Sequence, residues 1–94
     1  MKQNKYNYDN GRSVLQKASL TFPNGSGVYK FLSEGRKVLY VGKAKNLKKR
    51  ISSYLNEYRQ TNKIKTLISL SYKIEFIKTF SDVDSLILEN NLIK

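Results

Sequence analysis

The chain has 94 residues, of which 18 are lysine or arginine and 7 are aspartate or glutamate, so its net charge is +11 at pH 7. A chain of this length forms one domain with a modest core. The charge predicts a polyanionic partner, which we expect to be nucleic acid and not a membrane. Cysteine and histidine are both absent, which excludes disulfides, Ser-His-Asp catalysis and histidine-ligated zinc. The lack of cysteine fits a cytoplasmic location.

The N-terminal quarter of the chain is polar and ends in a turn. Residues 1–12 are polar, with Asn, Lys, Tyr and Gly, and predict a loose segment, with a short helix expected over residues 13–20. We therefore expect residues 1–21 to be a flexible or short helical segment that precedes a domain over residues 22–94. Pro, Asn and two Gly within residues 22–27 mark the turn between them.

A β-hairpin is predicted next. Residues 27–32 and 37–42 are rich in Val, Leu and Tyr, and the four residues between them contain a Glu-Gly pair. With a turn of that length, Tyr29 is expected directly opposite Tyr40. Opposed residues share a face of the sheet with Cβ atoms roughly 5 Å apart, so the hairpin would place two phenols side by side.

The rest of the chain predicts two helices, a strand and a last helix. Apolar residues recur with helical periodicity after Asn46, the predicted N-cap, and over residues 61–70. Residues 74–80 alternate as in a third strand, and a final helix follows Ser81 with Glu89 at the border of its apolar arc. The fold class predicted from this order is α/β of the α+β type, a small three-stranded antiparallel sheet flanked by helices.

A cationic run connects the second strand to the helix after Asn46. Taken alone, it is typical of a solvated lysine-rich face. A bound phosphate would instead turn cations near a helix N-terminus from an electrostatic cost into an anion site. The candidate nucleic-acid ligands in this run are Lys43, Lys45, Lys48, Lys49 and Arg50.

Three stretches of the chain resemble the GIY-YIG nuclease family, and within it the N-terminal domain of UvrC. They are residues 23–31 with the motif Gly-Val-Tyr, residues 38–54 (VLYVGKAKNLKKRISSY) and residues 86–94 (LILENNLIK). The resemblance implies a single Mg²⁺ or Mn²⁺ and hydrolysis of one phosphodiester 3′ to a lesion in bacterial nucleotide excision repair. It also implies damaged duplex DNA, UvrB and UvrA as partners.

The resemblance assigns catalytic roles to Tyr29, Tyr40, Lys43, Arg50, Tyr54 and Glu89. Our hypothesis is that Tyr29 or Tyr40, with Tyr29 preferred, takes a proton from the attacking water. Because a free phenol has a pKa near ~10, Lys43 or the metal would have to favour the phenolate. Arg50 would stabilise charge on the phosphate and Glu89 would hold the metal against the leaving 3′ oxygen.

Two other functions remain open on the sequence. A non-catalytic nucleic-acid-binding module could have the same fold and the same cations, and a stand-alone UvrC-like or GIY-YIG nuclease could share the motifs. Two tyrosines on a hairpin most often pack across strands. The chain also has Ser26 where the family often has proline, and the family's further site asparagine corresponds to a position past Lys94, the last residue.

Overall fold

The computed structural model of the chain describes residues 7–56 and 60–80. Within these residues the strands form one antiparallel sheet of order β2-β1-β3, which confirms the predicted fold class. No helix of this described part is long and apolar enough to cross a membrane. The predicted helix after Ser81, which carries Glu89, lies outside the described residues. The elements are α1 (Tyr8–Thr21), β1 (Gly27–Leu32), β2 (Val38–Ala44), α2 (Leu47–Ser53), α3 (Asn62–Leu70) and β3 (Lys73–Lys78).

Helix α1 is longer than the sequence predicted and starts inside the segment expected to be loose. The side chain of Asn7 caps it by accepting from the N–H of Asn10. The helix packs on α3 and α2, and its buried face carries Leu15 and Ala18 next to the small residues Gly11 and Ser19. Small and polar residues give a weak apolar stripe, which is why the periodicity placed the start of the helix too late.

The predicted hairpin register is wrong by two residues. Tyr29 lies opposite Gly42, and Tyr40 lies opposite Phe31. The turn is longer than predicted because the N–H and hydroxyl of Ser33 both bond to Lys37, the former donating to its carbonyl and the latter accepting from its N–H. The register also shifts between Phe31 and the next residue, which adds one further residue to β2.

The two tyrosines nevertheless share a face of the sheet. Side chains alternate with a period of two, so a register error of two residues preserves the face. Tyr29 and Tyr40 are therefore diagonal neighbours, with ring centroids 6.2 Å apart. The pairing partner of Tyr29 is glycine and not a second phenol, and this decides the shape of the site described below.

The main core lies between this face of the sheet and the three helices. It is built around fully buried apolar side chains: Leu15, Phe31, Leu47, Ile51 and Ile68. Ile74 of β3 joins it, and Phe76 stacks against Phe22 with centroids 4.6 Å apart. Phe80, expected to continue the alternation, lies past the end of β3 and is fully exposed, so that part of the third-strand prediction is wrong.

Both helices that follow the hairpin begin as predicted. The side chain of Asn46 accepts from the N–H of Lys49, which confirms Asn46 as the N-cap of α2. Thr61 caps α3 by accepting from the N–H of Ile64. Helix α2 ends at Ser53, so it has only two turns, and Tyr54 at its C-cap contacts the sheet through Tyr29.

Candidate active site

A pair of hydrogen-bonded phenols lies at the centre of the site. The hydroxyls of Tyr29, on β1, and Tyr54, at the C-cap of α2, are 2.8 Å apart. The Tyr29 side chain is almost completely buried, with 2% of its surface exposed. Helix α2 leans over the sheet because Leu47 and Ile51 are both buried beneath it, and this packing brings two residues 25 positions apart into contact.

Gly42 makes the room that the Tyr29 phenol occupies. A Cβ atom at position 42 would lie 2.5 Å from the Tyr29 hydroxyl oxygen and 3.0 Å from Cε2 of Tyr40. No ordinary side chain fits there, so the glycine of the second motif is required by close packing and not by an unusual backbone dihedral. The residue that leaves space for the Tyr29 phenol is therefore Gly42, its pairing partner across the sheet.

Tyr40 and Phe31 complete an aromatic cluster around the hydroxyl pair. The Phe31 ring packs edge-on against Tyr54 and Tyr40, with centroids 5.3 Å and 6.2 Å away. Tyr40 is the exposed member of the cluster, with 43% of its surface accessible. Sequence reasoning did not include Phe31 in the site, although its place two residues after Tyr29 on one strand puts it on the same face.

Burial raises the pKa of both bonded phenols. For Tyr29, burial has the largest effect, the neighbouring phenols of Tyr54 and Tyr40 raise the pKa further, and Arg50 lowers it. For Tyr54, burial again dominates, although its hydrogen bond with Tyr29 and the charge of Arg50 lower the pKa. Both phenols keep their protons at neutral pH in the protein without bound cation or DNA.

The cation that acts on the phenols is Arg50 and not Lys43. The guanidinium of Arg50 lowers the pKa of Tyr29 and Tyr54, whereas Lys43 has no such effect on either. Lys43 follows Gly42 on β2, so alternation directs its side chain to the opposite face of the sheet from Tyr29. The described geometry thus gives no support to the expectation that Lys43 favours the phenolate, and that role stays a prediction.

Lys43 instead contributes to a cationic cavity beside the phenols. This cavity has a volume of about 460 Å³ and is lined by Lys43, Ala44, Lys45, Asn46, Lys49, Arg50 and Ser53. Of the five cations predicted to bind nucleic acid, it brings together four, and Lys48 is not part of its lining. Arg50 belongs to both the cavity and the surroundings of the phenols, so the two features form one continuous site.

The backbone amides at the start of α2 are not available to a phosphate. Leu47 N–H donates to the carbonyl of Gly25 at 2.9 Å, and Lys48 N–H donates to the carbonyl of Pro23 at 3.1 Å. The next amide, that of Lys49, donates to the side chain of Asn46, as the N-cap role of Asn46 requires. The alternative of an anion site at this helix N-terminus is therefore wrong, and any phosphate in the cavity must be bound by side chains.

The described residues contain no cluster of three acidic or histidine side chains that could hold a metal. Glu75 is engaged on the other face of the sheet, where it pairs with Lys30 at 3.6 Å and Lys73 at 3.3 Å. The predicted metal ligand, Glu89, lies outside the described residues.

The three-stranded sheet with a tyrosine from each of two strands, an opposing glycine and a helix arginine defines a nuclease domain of the GIY-YIG class. The sequence pattern of the UvrC-like GIY-YIG domain matches residues 25–94. The chain belongs to this UvrC-like GIY-YIG domain family.

Curated relatives agree with this assignment. The chain is 41% identical over 92 residues to the UvrABC system protein C of Bartonella henselae, an alignment that covers 98% of this chain and 14% of that protein. It is 54% identical over 74 residues to the same-named protein of Methanospirillum hungatei, covering 79% of this chain and again 14% of the relative. The chain thus spans about one seventh of the length of these relatives.

Solved structures show the same fold with a metal bound. The GIY-YIG N-terminal endonuclease domain of UvrC from Thermotoga maritima, bound to its catalytic divalent cation magnesium, superposes with a TM-score of 0.76 at 38% sequence identity. The superposition covers 84% of this chain and 85% of that one. A point mutant of the same domain, also bound to its catalytic divalent cation, gives the same TM-score and identity.

Proposed function

We propose that this domain hydrolyses one phosphodiester bond of damaged duplex DNA, 3′ to the lesion, in nucleotide excision repair. The observation that carries the proposal is the place of Arg50, which joins a cavity lined by cations to a hydroxyl pair. A DNA phosphate bound by the cations would thereby lie beside groups that can hold or move a proton. The curated relatives of this chain are named as components of the UvrABC system. Their name supports UvrA and UvrB as partners and a cytoplasmic location.

Arg50 has the electrostatic role in the proposed reaction. Water attacks phosphorus, the bond to the 3′ oxygen breaks, and the products are a 5′-phosphate and a 3′-hydroxyl. Negative charge grows on the nonbridging oxygens in the transition state, and a preorganised guanidinium stabilises that charge more than it stabilises the ground state. Lys43 and Lys49 hold the flanking backbone in the cavity.

The structure favours Tyr40 over Tyr29 for taking the water proton. Tyr29 is buried and its pKa is raised, so its phenol acts as a hydrogen-bond partner that keeps Tyr54 in place. Tyr40 is exposed to solvent next to the same pair and can reach an incoming water. The sequence preferred Tyr29 for this step, and we propose the reverse assignment.

Glu89 would hold one divalent cation, Mg²⁺ or Mn²⁺, together with waters. When bound, that cation supplies positive charge to the leaving 3′ oxygen. The family's metal-bound structures support a divalent cation, and the scarcity of acids in this chain favours a single-carboxylate site over a two-metal one.

The experiment is single-turnover nicking of a lesion-containing duplex in the presence of Mg²⁺, UvrA and UvrB. We expect Glu89→Gln and Arg50→Ala each to lower the rate constant by ~10² or more while DNA affinity stays within a few-fold, because each removes charge that acts mainly in the transition state. Glu75→Gln and Arg36→Ala are the matched controls, since Glu75 pairs with Lys30 away from the phenols and Arg36 lies in the hairpin turn. Normal nicking by Glu89→Gln would refute the assignment, and DNA binding without any Mg²⁺-dependent nicking would indicate a non-catalytic module.

A further inference from the structure

Two consecutive hydrogen bonds connect the backbone of Tyr54 to Gln60 and Gln60 to Tyr8, on the side of Tyr54 away from Tyr29 in the bonding sequence. The Gln60 side-chain amide donates from Nε2 to the carbonyl oxygen of Tyr54 at 2.8 Å. Its Oε1 accepts from the hydroxyl of Tyr8, at the start of α1, at 2.9 Å. The directions of both bonds are determined, because a carbonyl only accepts and so Nε2 must face it, which leaves Oε1 to the phenol.

The carbonyl that Gln60 binds is one that its helix cannot satisfy. Tyr54 is the C-cap of α2, and the last carbonyls of an α-helix have no partner within the helix. Helix α2 runs only from Leu47 to Ser53, and so short a helix has little intrinsic stability at its ends. The bond from Gln60 therefore sets the position of the backbone from which the Tyr54 phenol reaches Tyr29.

Tyr8, at the other end of these two hydrogen bonds, lies in the first turn of α1, which packs on α3. The N–H of Asn7 donates to the carbonyl of Ser69 in α3 at 3.1 Å. One helical turn later, Gly11 packs directly against the backbone carbonyl of Ile68, where no side chain fits. The first turn of α1 is thus joined to α3 at two points, and Tyr8 projects from that joint.

We propose that Tyr8 and Gln60 are positioning residues for the reaction, acting through the backbone of Tyr54 to set its phenol against Tyr29. This inference rests on the proposed function and deepens it, because it assigns a role in catalysis to helix α1. Neither residue touches the DNA phosphate in this proposal. They act by fixing the geometry of the hydroxyl pair, to which rates are sensitive at the scale of an ångström.

The test variant is Tyr8→Phe, which removes one hydroxyl and keeps the ring that packs against the core. Tyr72→Phe is the matched control, since Tyr72 is an exposed phenol between α3 and β3. In the single-turnover assay with Mg²⁺, UvrA and UvrB, we expect Tyr8→Phe to lower the rate constant by about 3- to 10-fold, the equivalent of one hydrogen bond. We expect DNA affinity to stay within about 2-fold, because binding by the cationic cavity does not involve Tyr54. Gln60→Ala should show the same pattern with at least as large a loss.

A structural readout separates positioning from simple stabilisation. In protein labelled at tyrosine, the ring resonances of Tyr54 and Tyr29 should shift in Tyr8→Phe and stay in place in Tyr72→Phe. The inference is overturned by unchanged resonances and an unchanged rate. It is also overturned if the rate loss disappears at a temperature where both proteins are fully folded, because the bond would then contribute only to stability.

Failure of the proposed function gives a different result. If the wild type does not nick DNA with its partners present, the nuclease proposal fails and the catalytic part of this inference fails with it. Shifted tyrosine resonances would then show only that Tyr8 sets the position of Tyr54. If the wild type nicks and Tyr8→Phe nicks equally fast with unmoved resonances, the nuclease proposal stands and this inference fails.

Discussion

At the scale of single residues, the site depends on a phenol whose chemistry is set by its surroundings. Tyr29 is buried against two other phenols, and among the described residues the positive charge that lowers its pKa is that of Arg50. Burial outweighs that charge because water is lost from the phenolate while the guanidinium remains exposed. Tyr29 therefore stays protonated at neutral pH.

The raised pKa values predict a loss of stability at high pH. A phenol in the unfolded chain loses its proton near pH 10, whereas Tyr29 and Tyr54 keep theirs to higher pH when folded. Above pH 10 the unfolded state therefore binds fewer protons, and the free energy of unfolding falls by up to ~1.4 kcal/mol per pH unit for each such phenol. Below that pH these two groups make no contribution to the slope.

Urea unfolding between pH 8 and pH 12 checks this prediction. Tyr29→Phe and Tyr54→Phe should each flatten the decline above pH 10 while leaving the region below pH 9 parallel to the wild type. Curves that stay parallel throughout would show that these phenols titrate alike in the folded and unfolded states, contrary to the effect of burial.

At the scale of elements, the contact between α1 and α3 determines whether the N-terminal helix can serve the site. It is made by Gly11, whose missing side chain lets the backbone of Ile68 come close. The domain boundary predicted at residues 21 and 22 separates α1 from the segment that matches the family pattern, yet α1 contributes Leu15 and Ala18 to the core. We propose that α1 belongs to the functional unit.

Gly11→Ala is expected to destabilise the protein in spite of the better helix propensity of alanine. The propensity gain is about 1 kcal/mol, whereas the new Cβ would overlap a backbone carbonyl that cannot rotate away, and such overpacking costs about 1–3 kcal/mol or more. The net loss should appear as a lower urea midpoint. Gly35→Ala is the control, because a Cβ there meets nothing within 4 Å, and it should be neutral or slightly stabilising. Equal midpoints for the two variants would contradict a close packing of α1 on α3.

At the scale of the whole molecule, charge is distributed so that one part of the surface can attract DNA. The net charge of +11 provides general attraction, but four of the cations share one cavity next to the phenols. Among the described residues, Glu75 is paired on the other face of the sheet with Lys30 and Lys73. None of the described acidic side chains lines the cavity.

The salt dependence of DNA binding tests this distribution. Each phosphate contact contributes roughly 0.9 to the slope of log affinity against log salt concentration on duplex DNA. Lys49→Ala should therefore reduce the slope by about 1, whereas Lys65→Ala on the exposed side of α3 should change it much less. Equal reductions would mean that DNA is attracted by overall charge and not by the cavity.

The sequence by itself determined the fold class, the N-cap at Asn46, and the face shared by Tyr29 and Tyr40. These follow from local hydrogen bonding and from a side-chain period of two, which survives a register error of two residues. Its resemblance to a family also named site residues that composition alone would have left as packing or surface groups.

Only the tertiary structure decided what surrounds those residues. The bonds of Ser33 and the bulge in β2 placed Gly42 opposite Tyr29, and burial then raised the pKa that the sequence expected to be lowered. The bond from Tyr8 to Gln60 joins residues 52 positions apart, a contact for which no local pattern exists. Such properties depend on which distant side chains meet, and that is determined by packing of the whole chain and not by the periodicity of any segment.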